Sequence, residues 1–79
     1  MTLQEIEARI LEAIPDAWCV SVTETLVSRL DRDPVHYWTA GVWIHTQQPA
    51  VVEVGSDPEA LIQAVRLAYA AWVMRPQEE

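Results

Sequence analysis

The spacing of apolar residues changes twice along this chain, from helical at the start to alternating in the middle and back to helical at the end. Apolar residues recur every three or four positions over residues 2–14 and 57–74, as on one side of an amphipathic helix. In the middle, apolar and polar residues alternate, which is typical of half-buried strands. These strands are predicted over residues 17–29, 35–46 and 50–55. The chain therefore has the predicted order α-β-β-β-α, followed by a frayed tail at 75–79.

Polar residues and prolines mark the ends of the predicted helices. Thr2 is placed to cap the first helix, and Pro15 ends it. Before the second helix, Ser56 or Asp57 can accept hydrogen bonds from the free amides of the first turn. Pro58 suits that turn because its missing N–H donor is not needed there.

Two short turns, at residues 31–34 and 47–49, join the three strands. Short connections favour an antiparallel meander with the second strand in the centre. Both helices then most simply cover one face of the sheet and leave the other open. The expected fold is a single α+β domain with a three-stranded antiparallel meander and both helices on one face.

The alternation assigns the strand residues to two faces. The predicted core, on the helix side, contains Ile6, Ile10, Trp18, Val20, Val22, Trp38, Val42, Ile44, Val52, Leu61, Val65 and Trp72. Leu26, Ala40 and Val54 are also predicted on the helix side, because each lies an even number of residues from a predicted core residue of its strand. The predicted open face contains Cys19, Ser21, Thr23, Thr25, Tyr37, Thr39, Trp43, His45, Val51 and Glu53. A register error of one residue would move every residue of a strand to the other face.

Length and composition limit what such a domain can be. Its 79 residues make one domain, of a size that often gains stability from a partner or a second copy, and 51% hydrophobic residues are enough for a folded core. No apolar stretch approaches the roughly 20 residues of a membrane span, and the first residues lack the features of a signal peptide. The single cysteine, Cys19, cannot form an internal disulfide. A cytoplasmic protein without a membrane partner is expected.

The net charge of −7 comes from twelve carboxylates and five arginines, with no lysine. Such a chain cannot assemble a cationic surface for phosphates, so direct nucleic-acid binding is not expected. Double-stranded RNA-binding domains share the order of elements, but this second helix starts with Asp57 and Glu59 where those domains have lysines. An acidic surface is instead suited to a protein partner with a basic surface.

The residue types that carry catalysis or bind metals are few. Cys19 and His45 share the predicted open face, and a thiol beside an imidazole can form a nucleophile. Cys19 lies within a regular strand, however, without a helix N-terminus or an oxyanion donor. His36 and His45 point to opposite faces, which argues against a shared metal site. No enzyme, metal or cofactor is therefore predicted.

Trp43 is the strongest candidate for binding. A tryptophan in the central strand of an uncovered sheet exposes a large apolar area, and such exposure marks interaction sites. Tyr37 and Glu53 are predicted on the same face. The acidic residues expected to border this face are Asp31, Asp33, Asp57 and Glu59. Asp31 and Asp33 could hold a cation only weakly, because two carboxylates fall far short of a calcium loop.

Two segments of the chain resemble a known class of proteins. WTAGVW at residues 38–43 and VEVGSDPEAL at 52–61 resemble the small accessory proteins of bacteriophages and mobile elements, in which a short strand leads through a Gly-Ser/Thr turn into an Ala-rich final helix. The resemblance covers about half of the chain. Some small acidic proteins of that class are anti-CRISPR or other anti-defence inhibitors, which act by binding a host complex. The resemblance implies that behaviour and assigns no functional residues.

The first hypothesis is a non-enzymatic inhibitor whose acidic surface occupies a basic, nucleic-acid-binding surface on a bacterial defence complex. The alternative is a structural or assembly module that homodimerises through the open sheet face. A binder that stacks a small molecule on Trp43 and Tyr37 comes third, and an enzyme last. Salt dependence separates the first two, since binding through carboxylates weakens with salt and an apolar interface does not.

Overall fold

A computed structural model describes residues 1–45 and 47–76 and confirms the order α-β-β-β-α. The elements are α1 (Leu3–Ala13), β1 (Cys19–Val27), β2 (Val35–Trp43), β3 (Val51–Gly55) and α2 (Pro58–Val73). Each begins and ends within three residues of its predicted bounds. Of the predicted tail at 75–79, residues 77–79 lie outside the described part of the chain.

Side-chain caps fix the start of both helices. The Thr2 hydroxyl accepts a hydrogen bond from the Glu5 amide at 3.1 Å and donates one to Glu5 Oε1 at 3.2 Å. At α2, the Asp57 carboxylate accepts from the Ala60 amide at 2.8 Å, and Pro58 follows as the first helical residue. The cap of α1 is confirmed, and Asp57 rather than Ser56 caps α2.

The sheet is an antiparallel meander with β2 in the centre. In the β1–β2 hairpin, Cys19 is the register partner of Trp43, and Val27 is that of Val35. Both helices pack on the same face of this sheet. The buried core between them contains Ile6, Ile10, Ile14, Ala40, Val42, Ile44, Val51, Leu61, Ile62 and Val65. The predicted core residues that pack against it half-buried are Val20, Val22, Trp38 and Trp72.

Trp18 and Leu26, both assigned to the inner set, are exposed by 68% and 64%. Trp18 lies just before β1, where Ile14 and Ala17 already fill the end of the core. Leu26 lies in the part of the hairpin that extends beyond the helices. This extension makes the molecule 51 Å long and gives a radius of gyration of 14.0 Å, against about 12 Å for a compact domain of this length.

The face assignment of β3 is wrong by one residue. Val52 and Val54, predicted inside, are exposed by 62% and 59%. Val51, predicted outside, is buried and is the register partner of Val42. Glu53 is half-buried on the helix-covered face, as the register partner of Ala40.

Gly55 explains this register. A Cβ atom on Gly55 would lie 2.5 Å from the Leu61 backbone nitrogen and 2.7 Å from its Cα, so the end of β3 touches the backbone of α2 directly. Gly55 must therefore face the helix, and Glu53 and Val51 follow because alternate residues of a strand share a face.

A backbone hydrogen bond just before β3 adds to the pairing. The Ala50 amide donates to the Val42 carbonyl at 2.8 Å, next to the first register pair of the strand, Val42 and Val51. The end of the β2–β3 connection is thereby held against β2.

Replacing Gly55 with alanine is expected to lower the free energy of unfolding by about 2 kcal/mol or more, because the added methyl group overlaps backbone atoms that cannot move aside. Chemical denaturation followed by circular dichroism measures the loss. Gly41→Ala is the matched control: its Cβ would lie 3.0 Å from the Trp43 ring, a side chain that can shift. Equal stabilities of the two variants would contradict the assigned contact.

Candidate functional site

The open face of the sheet carries no charge. In the observed register its twelve residues are Cys19, Ser21, Thr23, Thr25, Val27, Val35, Tyr37, Thr39, Gly41, Trp43, Val52 and Val54. Every one of these strand residues is described by the structure, and none is an aspartate, glutamate, arginine, lysine or histidine. In a chain with a net charge of −7, the carboxylates and arginines are thus confined to the other surfaces.

Glu53 does not belong to this face, contrary to the prediction that placed it near Trp43. It pairs with Ala40 on the helix side of the sheet. Val52 and Val54 occupy the open side instead, as register partners of Gly41 and Thr39. Val52 and Val54 thus replace Val51 and Glu53 on the candidate surface, which thereby loses its carboxylate.

Trp43 lies across the middle of this face. A Cβ atom at Gly41 would meet Cη2 and Cζ3 of the indole at 3.0 Å, so the ring covers the glycine and is itself half-buried. Gly41 stands between Ser21 on β1 and Val52 on β3. The indole and the valines of β3 therefore form the apolar part of the open face.

Tyr37 is on the open face, as predicted, but far from Trp43. The two residues are six positions apart in β2, which corresponds to about 20 Å along the strand. Tyr37 is half-buried opposite Thr25, in the part of the hairpin beyond the helices. A single small ligand cannot stack on both rings.

Trp18 adds a second tryptophan at the Trp43 end of the sheet. Its amide donates to the Trp43 carbonyl at 2.8 Å, and its side chain is exposed. A wide depression of about 530 Å³ is lined here by Trp18, Cys19, Trp43 and Gln47. The alternation of apolar and polar residues predicts Trp18 in the core, but Trp18 precedes β1. Pro15, only three residues earlier, is the sequence signal that the chain is still in a turn there.

Asp31 and Asp33, predicted as an acidic border, lie at the tip of the β1–β2 hairpin with Arg29 and Arg32. Residues 19–43 carry three carboxylates and two arginines, a net charge of −1. The tip is therefore close to neutral, although its carboxylates are exposed.

Asp57 and Glu59 make specific contacts at the start of α2. The Asp57 side chain is the helix cap, and both Glu59 oxygens face the Arg9 guanidinium, at 3.0 and 3.4 Å. The hydrogen bond to Glu59, reinforced by its charge, raises the pKa of Arg9. Gly55, at the end of β3, pairs with Trp38, and the five residues from Trp38 to Asp33 span about 17 Å when extended, so the structure does not bring the two acidic pairs together.

Most of the negative charge in the described chain lies with the helices. Residues 1–18 and 44–76 carry seven carboxylates and three arginines, a net charge of −4. On α1, Glu7 and Glu12 are exposed, and neither forms an ion pair with a described residue. The sequence places both on the polar side of the first helix but does not mark either as a binding residue, because the charge pattern along a helix does not reveal which carboxylates find a partner.

The candidate catalytic and metal-binding residues are dispersed. Cys19 is exposed on the open face opposite Trp43. β2 ends at Trp43, so His45 lies in the following turn and not on the open face as predicted. His36 lies on the helix side, where Nε2 is 3.1 Å from Glu24 Oε1. Within the described part of the chain, no three His, Cys, Asp or Glu side chains lie close enough to share a metal ion.

Comparison of the chain with protein families, with curated proteins and with solved structures finds no match. Across residues 1–45 and 47–76, none of the helices is long and apolar enough to cross a membrane.

His45 has a φ of 56°, in the left-handed region that favours glycine. His45→Gly is expected to raise the free energy of unfolding by about 0.5 kcal/mol, because the relieved backbone strain exceeds the added entropy of the unfolded chain. His36→Gly, within the paired part of β2, serves as the control and should lower the free energy of unfolding. Urea denaturation distinguishes the two, and a loss of stability in both would contradict the assigned turn.

Proposed function

We propose that this protein is a non-enzymatic inhibitor that binds a bacterial defence complex, with its acidic helical side occupying a basic, nucleic-acid-binding surface of that complex. The observation that carries the proposal is the separation of charge. The helices, their adjoining turns and Glu53, which faces them from β3, hold a net charge of −4 among the described residues, whereas the opposite sheet face holds none.

The acidic helical side presents exposed carboxylates that the cations of a partner can reach, although the charge of one of them, Glu12, also acts on Arg9 and helps to raise its pKa. Glu7 and Glu12 extend from α1 away from the buried Ile6 and Ile10, and Asp16 is exposed in the turn that follows. Asp57 and Glu59 are less available, because one caps α2 and the other pairs with Arg9. Partner contact is therefore placed at Glu7, Glu12 and Asp16.

The charge also limits the kind of partner. A chain without lysine and with a net charge of −7 is repelled by phosphates, and it is attracted to the surfaces that bind them. Competition with nucleic acid for such a surface is the simplest way for this protein to act. The resemblance of residues 38–43 and 52–61 to phage accessory proteins supports a defence complex as the owner of that surface.

Tyr37 and Trp43 take no part in this contact, because they lie on the opposite side of the sheet. One planar partner surface cannot touch both sides. The alternative function, assembly through the open face, is favoured by the absence of charge there. The two functions use different surfaces and are compatible.

Phage plating on bacteria that carry a CRISPR–Cas system targeting that phage tests the proposal. Expression of the protein should restore plating in at least one strain of a panel that covers different system types. Glu7→Arg with Glu12→Arg should abolish the effect, since the reversed charges repel a basic surface. Asp31→Arg with Asp33→Arg, a matched double reversal at the hairpin tip, should retain it, as should Cys19→Ser and His45→Ala.

Binding to the purified complex should weaken steeply between low and high salt, because exposed ion pairs are screened. If the protein restores plating in none of the strains, the proposal is wrong. Equal loss in the helix and hairpin-tip variants would show that the contact does not lie on α1.

A further inference from the structure

We propose that the uncharged open face binds a second copy of this chain, so that two sheets pack face to face and leave both acidic helical sides exposed. This inference concerns the opposite surface from the proposed inhibitor contact and does not depend on it. It would also supply the second copy from which a domain of this size gains stability.

Charge is the first reason to choose a second copy as the occupant. Two chains with a net charge of −7 repel one another, and the open sheet face is where they can approach without bringing carboxylates together. A basic partner would find no carboxylate on this face with which to pair. A partner for an uncharged face should itself be uncharged there. In a dimer with two-fold symmetry the same face of each chain meets the other, so a second copy supplies such a surface.

The shape and composition of the face agree with sheet packing. Ser21, Thr23 and Thr25 on β1 are small, and the Cη2–Cζ3 edge of the Trp43 indole lies over Gly41, with the side chain half-buried. Val52 complements the ring on the β3 side. Two inner sheet faces pack through such alternating small and large residues at about 10 Å separation.

The size of the face sets the strength of the contact. Strands of nine, nine and five residues project to about 380 Å² at the usual strand spacing. Trp43, Val52 and Val54 make up only part of this area, and the whole face is well below the ~800 Å² of accessible area that each partner buries in a standard interface. We therefore expect a dimer that dissociates on dilution.

Cys19 provides a direct reporter, because it is the single cysteine of the chain and lies on this face opposite Trp43. Sedimentation equilibrium should show the mass rising with concentration from 9.0 kDa towards twice that value. Over the same range, modification of the Cys19 thiol by an uncharged maleimide should slow by about fivefold or more, since reaction requires access to the sulfur.

Matched substitutions locate the interface. Val54→Arg and Leu67→Arg place the same charge at similarly exposed apolar positions, of 59% and 72%, one on the open face and one on α2. At concentrations at which the parent chain and Leu67→Arg form dimers, Val54→Arg should remain monomeric. Circular dichroism checks the fold of each variant; if Val54→Arg does not fold, Thr39→Arg takes its place.

Three results would overturn the inference. They are a monomer at every concentration, a dimer in which Cys19 stays fully reactive, and a dimer broken by Leu67→Arg rather than by the open-face variant. None of them affects phage plating through Glu7 and Glu12, so failure of the dimer and failure of the inhibitor proposal are distinguishable.

Discussion

The contact between Gly55 and the backbone of Leu61 is the constraint on which the functional surface depends. Because no side chain fits between the end of β3 and the start of α2, Gly55 must face the helices. The alternation of the strand then carries Glu53 to the helix side and Val52 to the open side. One residue without a side chain thus decides that the open face has no carboxylate.

The separation of charge that results gives the two sides of the molecule different physical properties. The helical side has long-range attraction for basic surfaces, which acts mainly on the rate of association and is screened by salt. The sheet side has only short-range packing, which is insensitive to salt and specific in shape. A protein that dimerises through its sheet would present two acidic helical sides in opposite directions, and each could engage its own partner surface.

The spacing of apolar residues is enough to predict the two helices and the buried face of most of β1 and β2, because the apolar residues of each element follow one period over many positions. It failed for β3, where three valines occupy both faces and Glu53 is the sole polar residue; the contact that decides the face is tertiary. The same limit applies to the site. Trp43 was identified from its strand position, whereas the pairing of Arg9 with Glu59 joins residues 50 apart and leaves no local pattern.

Thiol accessibility at two adjacent positions of β3 tests the central claim, that Gly55 turns Val51 inward and Val52 outward. In a Cys19→Ser chain, cysteine is introduced at either position, and its reaction with a thiol reagent is followed in dilute solution, so that the proposed dimer does not contribute to protection. The account predicts rapid modification for Val52→Cys and strong protection for Val51→Cys, which is 3% exposed in the parent chain. Protection of Val52→Cys with rapid reaction of Val51→Cys would contradict it and would return Glu53 to the open face.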